Sequence, residues 1–137
     1  MVGNGVLENE LKILSKSDDR ICFLPFQNQS IMPAIYRLGD LFVLPSLSET
    51  WGLSVNEAMA CGRAILVSDK CGCAEDLVSS GENGEIFKSD SEVDLIAKMN
   101  MLVASKNKLR KMGLNSQKKI ETWNFGHQVL AIKNILA

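Results

Sequence analysis

Two short apolar runs, each stopped by a proline, do most to fix what this chain can fold into. Ile21-Cys22-Phe23-Leu24 ends at Pro25, and Leu41-Phe42-Val43-Leu44 ends at Pro45. Unbroken apolar runs of this length suit strands buried on both faces, and proline cannot donate to the ladder that would extend them. Two more runs follow, Ala64-Ile65-Leu66-Val67-Ser68 and Gly84-Glu85-Ile86-Phe87. The segments between them have helical spacing. Val6, Leu7, Leu11 and Leu14 define a helix over about 6–15. Ile31, Ile35 and Leu38 define a second, with Pro33 tolerated in its first turn. Val55–Cys61 is a third, ended by Gly62, and Glu75–Ser79 a helical turn. Strands alternating with helices predict an α/β fold, a doubly wound parallel sheet of Rossmann-like type.

From Glu92 onward the pattern is helical: a stripe of Leu95, Ile96, Met99, Leu102 and Val103, then helices over about 106–122 and 126–136. Met99, Met101 and Met112 read as packing residues. The expectation is a single domain over 1–137, mainly helical over 91–137. Its opening, Val2-Gly3-Asn4-Gly5, reads as a strand end and turn whose strand is missing, so the domain is expected to be partial.

The 137 residues carry 15 Lys+Arg against 16 Asp+Glu, for a formal charge of −1. That balance offers no basic field for nucleic acid. No apolar run is long enough for a membrane span, and the first residues lack the basic and apolar regions of a secretory signal. A cytoplasmic protein is predicted. Cys22, Cys61, Cys71 and Cys73 form no C-x-x-C pair, and the lone His127 is distant, so a zinc site is not expected. The cysteines read as reduced thiols, with Cys22 buried on its strand. Cys61 has no histidine nearby to activate it, and His127 reads as a packing or surface residue.

Ligands of open α/β sheets bind beyond the carboxyl ends of the strands. The richest such edge follows Leu44: P-S-L-S-E-T-W-G-L-S-V-N-E-A-M-A-C-G. It puts Glu49 on a loop and Glu57 in the first turn of the next helix. Between them, Thr50, Trp51, Gly52 and Leu53 run into a helix N-terminus, where free N–H groups and the macrodipole favour an anion. Gly52 lets a ligand approach the backbone. Amides for phosphates and carboxylates for hydroxyls suit a phosphorylated sugar. A plainer reading uses the same residues: Ser54-x-x-Glu57 as a capping box, Glu49 as a solvated loop residue, Trp51 as a core plug. Spacing alone leaves both open.

The stretch Leu44–Gly84 resembles the C-terminal domain of family 4 glycosyltransferases, which have the two-domain GT-B architecture. The resemblance rests on Pro45-Ser46, Glu49, Gly52-Leu53, Glu57 and Ala58-Met59-Ala60-Cys61-Gly62, in that order. It continues through Ala64–Ser68, Gly72-Cys73-Ala74-Glu75 and Gly81-Glu82-Asn83-Gly84. Upstream, Gly3-x-Gly5 and Arg20-Ile21-x-Phe23-Leu24-x-Phe26 are similar to the preceding parts of the same domain. The resemblance implies that Glu49 contacts the donor sugar beside its anomeric carbon, as the catalytic position. It implies that the backbone of Thr50, Trp51, Gly52 and Leu53 holds the diphosphate and that Glu57 binds the ribose. Phe26 and Gln27, with Asn28 and Gln29, would lie beside the nucleobase. The sequence departs from the family at Thr50 and Ser54, where Gly and Pro are commoner, and at Gly62-Arg63-Ala64, where Gly-x-Pro is.

The implied reaction is a retaining transfer from a nucleotide diphosphate sugar, with no cofactor. No Asp-x-Asp occurs, so no metal is expected. The basic residues that grip the diphosphate, and the domain that takes the acceptor sugar or glycan, would lie upstream of Gly3. The chain alone is therefore expected to transfer no sugar and to bind donor weakly. The parent could sit peripherally at the inner membrane face, and the exposed sheet edge could pair with another copy. The alternative in the binding class is a non-catalytic nucleotide-sugar-binding module of Rossmann-like fold. A dinucleotide-binding fingerprint at Gly3-Asn4-Gly5 lacks its third glycine, where Glu8 stands. A response-regulator module would need an acidic cluster that Asp40 and Asp69 do not make.

Overall fold

The computed structural model describes residues 1–136. Contacts divide the chain into two compact units, Met1–Met32 and Pro33–Ala137. The first holds helix α1 (Glu8–Leu14), whose Glu8 and Lys12 pair at 2.6 Å across one turn. Here the apolar run 21–24 forms no strand. Only a single parallel bridge, Val2 to Leu24, is present, with Leu24 N–H donating to Met1 O at 2.8 Å and Gly3 N–H to Leu24 O at 3.0 Å. Cys22 is exposed rather than buried, and no residue of 1–32 is buried. The physical reason is twofold: one bridge is too short a ladder to hold a strand, and a unit with no buried residue supplies no layer to cover its faces.

The remaining elements are α2 (Met32–Tyr36), β1 (Leu41–Leu44), α3 (Leu53–Ala60), β2 (Ala64–Ser68), α4 (Ala74–Leu77), β3 (Gly84–Phe87), α5 (Glu92–Val103), α6 (Lys106–Ile120) and α7 (Phe125–Leu136). The strands form one parallel sheet in the order β1-β2-β3, with Leu41 opposite Ala64 and Ile65 opposite Gly84. All of β2 is buried, as a central strand covered on both faces must be. β1 is half-buried along its length, contrary to the buried strand predicted, because it has less helix packed on it than the other edge strand, β3, which α5 covers. α2 is shorter than the sequence suggests and leaves Leu38 exposed.

One core cluster joins Ala64 and Leu66 of β2 to Phe87, Leu102, Leu109 and Met112. Met112 packs as expected, whereas Met99 and Met101 stay 37% and 42% exposed, off the buried stripe of α5. Two close approaches of backbone fix this packing. A methyl group on Gly113 would lie 2.1 Å from Gly62 O, and one on Gly84 would lie 2.1 Å from Ile65 O. The Gly81–Gly84 turn is closed by buried Asn83, which donates to Leu77 O at 2.9 Å and accepts from Ser79 N–H at 2.7 Å. That motif is thus a structural brace.

Candidate functional site

Two successive loops at the carboxyl end of the sheet are laced together. Ser68 Oγ donates to Ser46 O at 2.5 Å, Glu49 N–H to Lys70 O at 3.0 Å, Gly72 N–H to Glu49 O at 2.9 Å and Cys73 N–H to Trp51 O at 2.9 Å. Gly72 must lack a side chain, since a methyl group there would lie 2.0 Å from Thr50 O. The loop after β2 therefore clamps the Glu49–Trp51 segment into one course.

That course ends at Gly52, the N-cap of α3, whose backbone is left-handed at φ 99° and ψ 57°. Glycine adopts this conformation without the Cβ penalty of other residues. Gly52 is buried, and a side chain there would meet Cys73 Sγ at 3.2 Å and Leu44 at 3.3 Å, so the room expected for a ligand beside this glycine is taken up by packing. Desolvation, with the neighbouring Cys71 next in size, pushes the Cys73 thiol up to about 11, so it packs as a neutral group.

The amides of the turn divide cleanly. Val55 N–H donates to Gly52 O at 2.8 Å, and Trp51 N–H reaches Glu49 Oε1 at 3.4 Å. Those of Thr50, Gly52, Leu53 and Ser54 have no acceptor among the described residues, and no side chain caps the helix. Such orphan donors carry the positive end of the helix dipole. The capping-box reading is corrected here. α3 begins at Leu53, two residues earlier than the sequence suggests, so Ser54 lies inside it and Glu57 falls in the second turn, not the first. Glu57 does not reach back. Its Oε2 accepts a hydrogen bond from the Tyr36 hydroxyl at 2.8 Å.

Glu49 and Glu57 are both half-buried and Thr50 is exposed. Trp51 is no core plug: it is partly exposed, its Nε1–H donates to Asn56 Oδ1 at 3.0 Å, and its ring lies 5.5 Å from that of Trp123. Leu53 is 62% exposed. The structure thus brings Glu49 through Glu57 together in one unit. Phe26 and Gln27 belong to the other, where Phe26 is exposed and Gln27 Nε2–H donates to Pro25 O at 3.1 Å. Asp40 pairs with Lys106 at 3.5 Å, while Asp69 accepts from Ser89 N–H at 3.0 Å, a bond that holds its carboxyl below the usual range. A cavity of about 420 Å³ lined by Asp40, Arg63, Arg110 and Gln117, among others, lies at the opposite end, where β1 and β2 begin.

Three contributors escape sequence reasoning, Tyr36, Asn56 and Trp123, while Gly72 enters it only as part of Gly72-Cys73-Ala74-Glu75, with no role given. Tyr36 had the best available signal. It is the one tyrosine of the chain, and a tyrosine that becomes buried needs a partner for its hydroxyl.

A parallel sheet of three strands with flanking helices defines an α/β domain of Rossmann-like type. Residues 1–119 match the sequence profile of the glycosyl transferases group 1. A D-inositol 3-phosphate glycosyltransferase of Gordonia bronchialis is 32% identical over 114 residues, covering 83% of this chain and 25% of that protein. The N,N'-diacetylbacillosaminyl-diphospho-undecaprenol alpha-1,3-N-acetylgalactosaminyltransferase of Campylobacter jejuni is 45% identical over 64 residues, 47% of this chain and 17% of its own. Among solved structures, sucrose-phosphate synthase from Thermosynechococcus elongatus superposes with a TM-score of 0.82 at 22% identity, over 95% of this chain and 33% of that one. HepE from Anabaena in complex with UDP-glucose gives 0.78 at 23% identity, over 99% and 40%. These structural likenesses show a shared fold. The chain belongs to the group 1 glycosyl transferases, with the Rossmann-like fold of the GT-B architecture. It spans about a quarter of the length of the first of its curated relatives.

Proposed function

We propose that this chain is the donor-binding part of a family 4 glycosyltransferase that moves a sugar from a nucleotide diphosphate sugar to an acceptor sugar or glycan. The observation that carries the reading is the run of free amides, Gly52 through Ser54, at the head of α3 between two carboxylates. Membership of the family supports it, as does the shared fold of HepE, a protein solved with UDP-glucose.

The chemistry follows from charge. Breaking the bond between sugar and diphosphate builds negative charge on the leaving phosphate. Amides already aimed at that position stabilise the transition state more than the ground state, and losing one such donor costs about 2.7–4 kcal/mol. With Trp51 N–H turned to Glu49, the donors are the amides of Thr50, Gly52 and Leu53, joined by that of Ser54. Glu57 accepts from the ribose hydroxyls. Glu49 accepts from the hydroxyls of the donor sugar and faces the developing positive charge at the anomeric carbon. Phe26 and Gln27 flank the nucleobase. The transfer is retaining and metal-independent, the acceptor entering on the face the nucleotide leaves, and the donor is a substrate rather than a cofactor. The acceptor and the diphosphate-gripping basic groups are met outside this chain, which alone turns nothing over.

Thermal unfolding of the whole enzyme against a panel of UDP-, GDP- and ADP-sugars tests the reading, because a ligand of the native state raises Tm. One nucleotide series should raise Tm, and Glu57→Ala should abolish the rise. A panel that leaves Tm unmoved throughout contradicts the proposal.

A further inference from the structure

Tyr36 closes α2, is 8% exposed, and hydrogen-bonds one residue that the family signature names, Glu57. Its hydroxyl donates to Glu57 Oε2 at 2.8 Å, and its ring meets Phe42 of β1 edge-on, with centroids 5.6 Å apart at 75°. The phenol is therefore held from two sides. Burial, and then the bond to Glu57, raise its ionisation well above physiological pH, so it remains a donor. Glu57 Oε1 has no partner among the described residues.

We infer that Tyr36 is a positioning residue that sets ribose selectivity, by fixing one oxygen of Glu57 and leaving the other to accept from the sugar ring of a nucleotide. The inference rests on the reading above, in which Glu57 faces the ribose. An ionised carboxylate accepts at both oxygens and a free glutamate samples many rotamers. A buried donor on one oxygen removes that freedom before any ligand arrives, and preorganisation of this kind raises affinity by lowering the ordering cost. A site built to bond a hydroxyl also rejects an analogue that lacks it. Selectivity between nucleotides with and without ribose hydroxyls should thus depend on Tyr36, although Tyr36 touches no ligand.

The 137-residue chain with its single tyrosine ring-labelled gives one resonance for Tyr36. The probes are UDP and 2′,3′-dideoxy-UDP. UDP should move the Tyr36 resonance together with the Gly52, Leu53 and Ser54 amides, whereas the dideoxy compound should move the amides alone. Tyr36→Phe keeps the ring and should weaken UDP binding about tenfold, the scale of one hydrogen bond to a charged group, while leaving the dideoxy compound unaffected. Glu57→Gln should lose the same preference. If Glu57→Gln loses it and Tyr36→Phe keeps it, the inference is overturned and the reading beneath it stands. Should Tyr36→Phe not fold, a wild-type Tyr36 resonance unmoved while UDP shifts the amides overturns it equally. If Glu57→Gln also keeps the preference, or UDP moves none of these amides, the underlying reading fails and takes the inference with it.

Discussion

Gly72 illustrates how a single residue shapes the site from outside it. Its N–H holds Glu49 O, and the absence of its side chain lets Thr50 O pass where a methyl group would lie 2.0 Å away. Gly72→Ala should push the two loops apart and cost about 1–3 kcal/mol, the range for overpacking. Urea unfolding checks this, and an unchanged midpoint would contradict the clamp. Cys73, below the same turn, makes a pH-dependent contribution. Its folded pKa, about 11, lies above its ordinary 9.0, so the unfolded chain releases the proton first. Stability attributable to Cys73 is then fully present below about pH 9 and lost as pH rises toward 11. Cys73→Ala should flatten the fall in stability across that window, as read by urea midpoints at successive pH values. Among single residues, Glu49, Gly52 and Glu57 were legible because the motif carries them in order. Tyr36 was not, because its contact with Glu57 spans 21 residues and no local pattern encodes it.

Elements were legible where the chain itself ends them. β1, β2 and β3 run over the residues predicted, since proline, glycine or a polar loop stops each apolar run. The run 21–24 is wholly apolar too but has one bridging partner, and strand formation needs a ladder as well as propensity. The start of α3 was misplaced for a different reason. Ser54-x-x-Glu57 supplies a capping signal, yet a left-handed glycine N-cap at Gly52 wins and frees Glu57 for Tyr36. α5 offers the contrasting case of an ordinary cap, with Ser91 Oγ accepting from Asp94 N–H at 3.2 Å. Ser91→Ala should cost about 1 kcal/mol. A loss of that size in thermal or urea unfolding supports the cap, and none would refute it.

At the scale of the whole molecule, the family was readable because motifs scattered from Leu44 to Gly84 occur in one order, and the family profile matches residues 1–119, a span that contains them. The placement of the candidate loops was readable for a related reason, since parallel strands send their following loops to one end of the sheet. What sequence could not supply is the pairing of those loops, which decides which amides stay open. The amide spectrum of the chain, followed as UDP is added, tests this most directly. The account predicts that Gly52, Leu53 and Ser54 show the largest displacements. Largest displacements instead at Asp40, Arg63 and Gln117, around the cavity at the far end of the sheet, would contradict it.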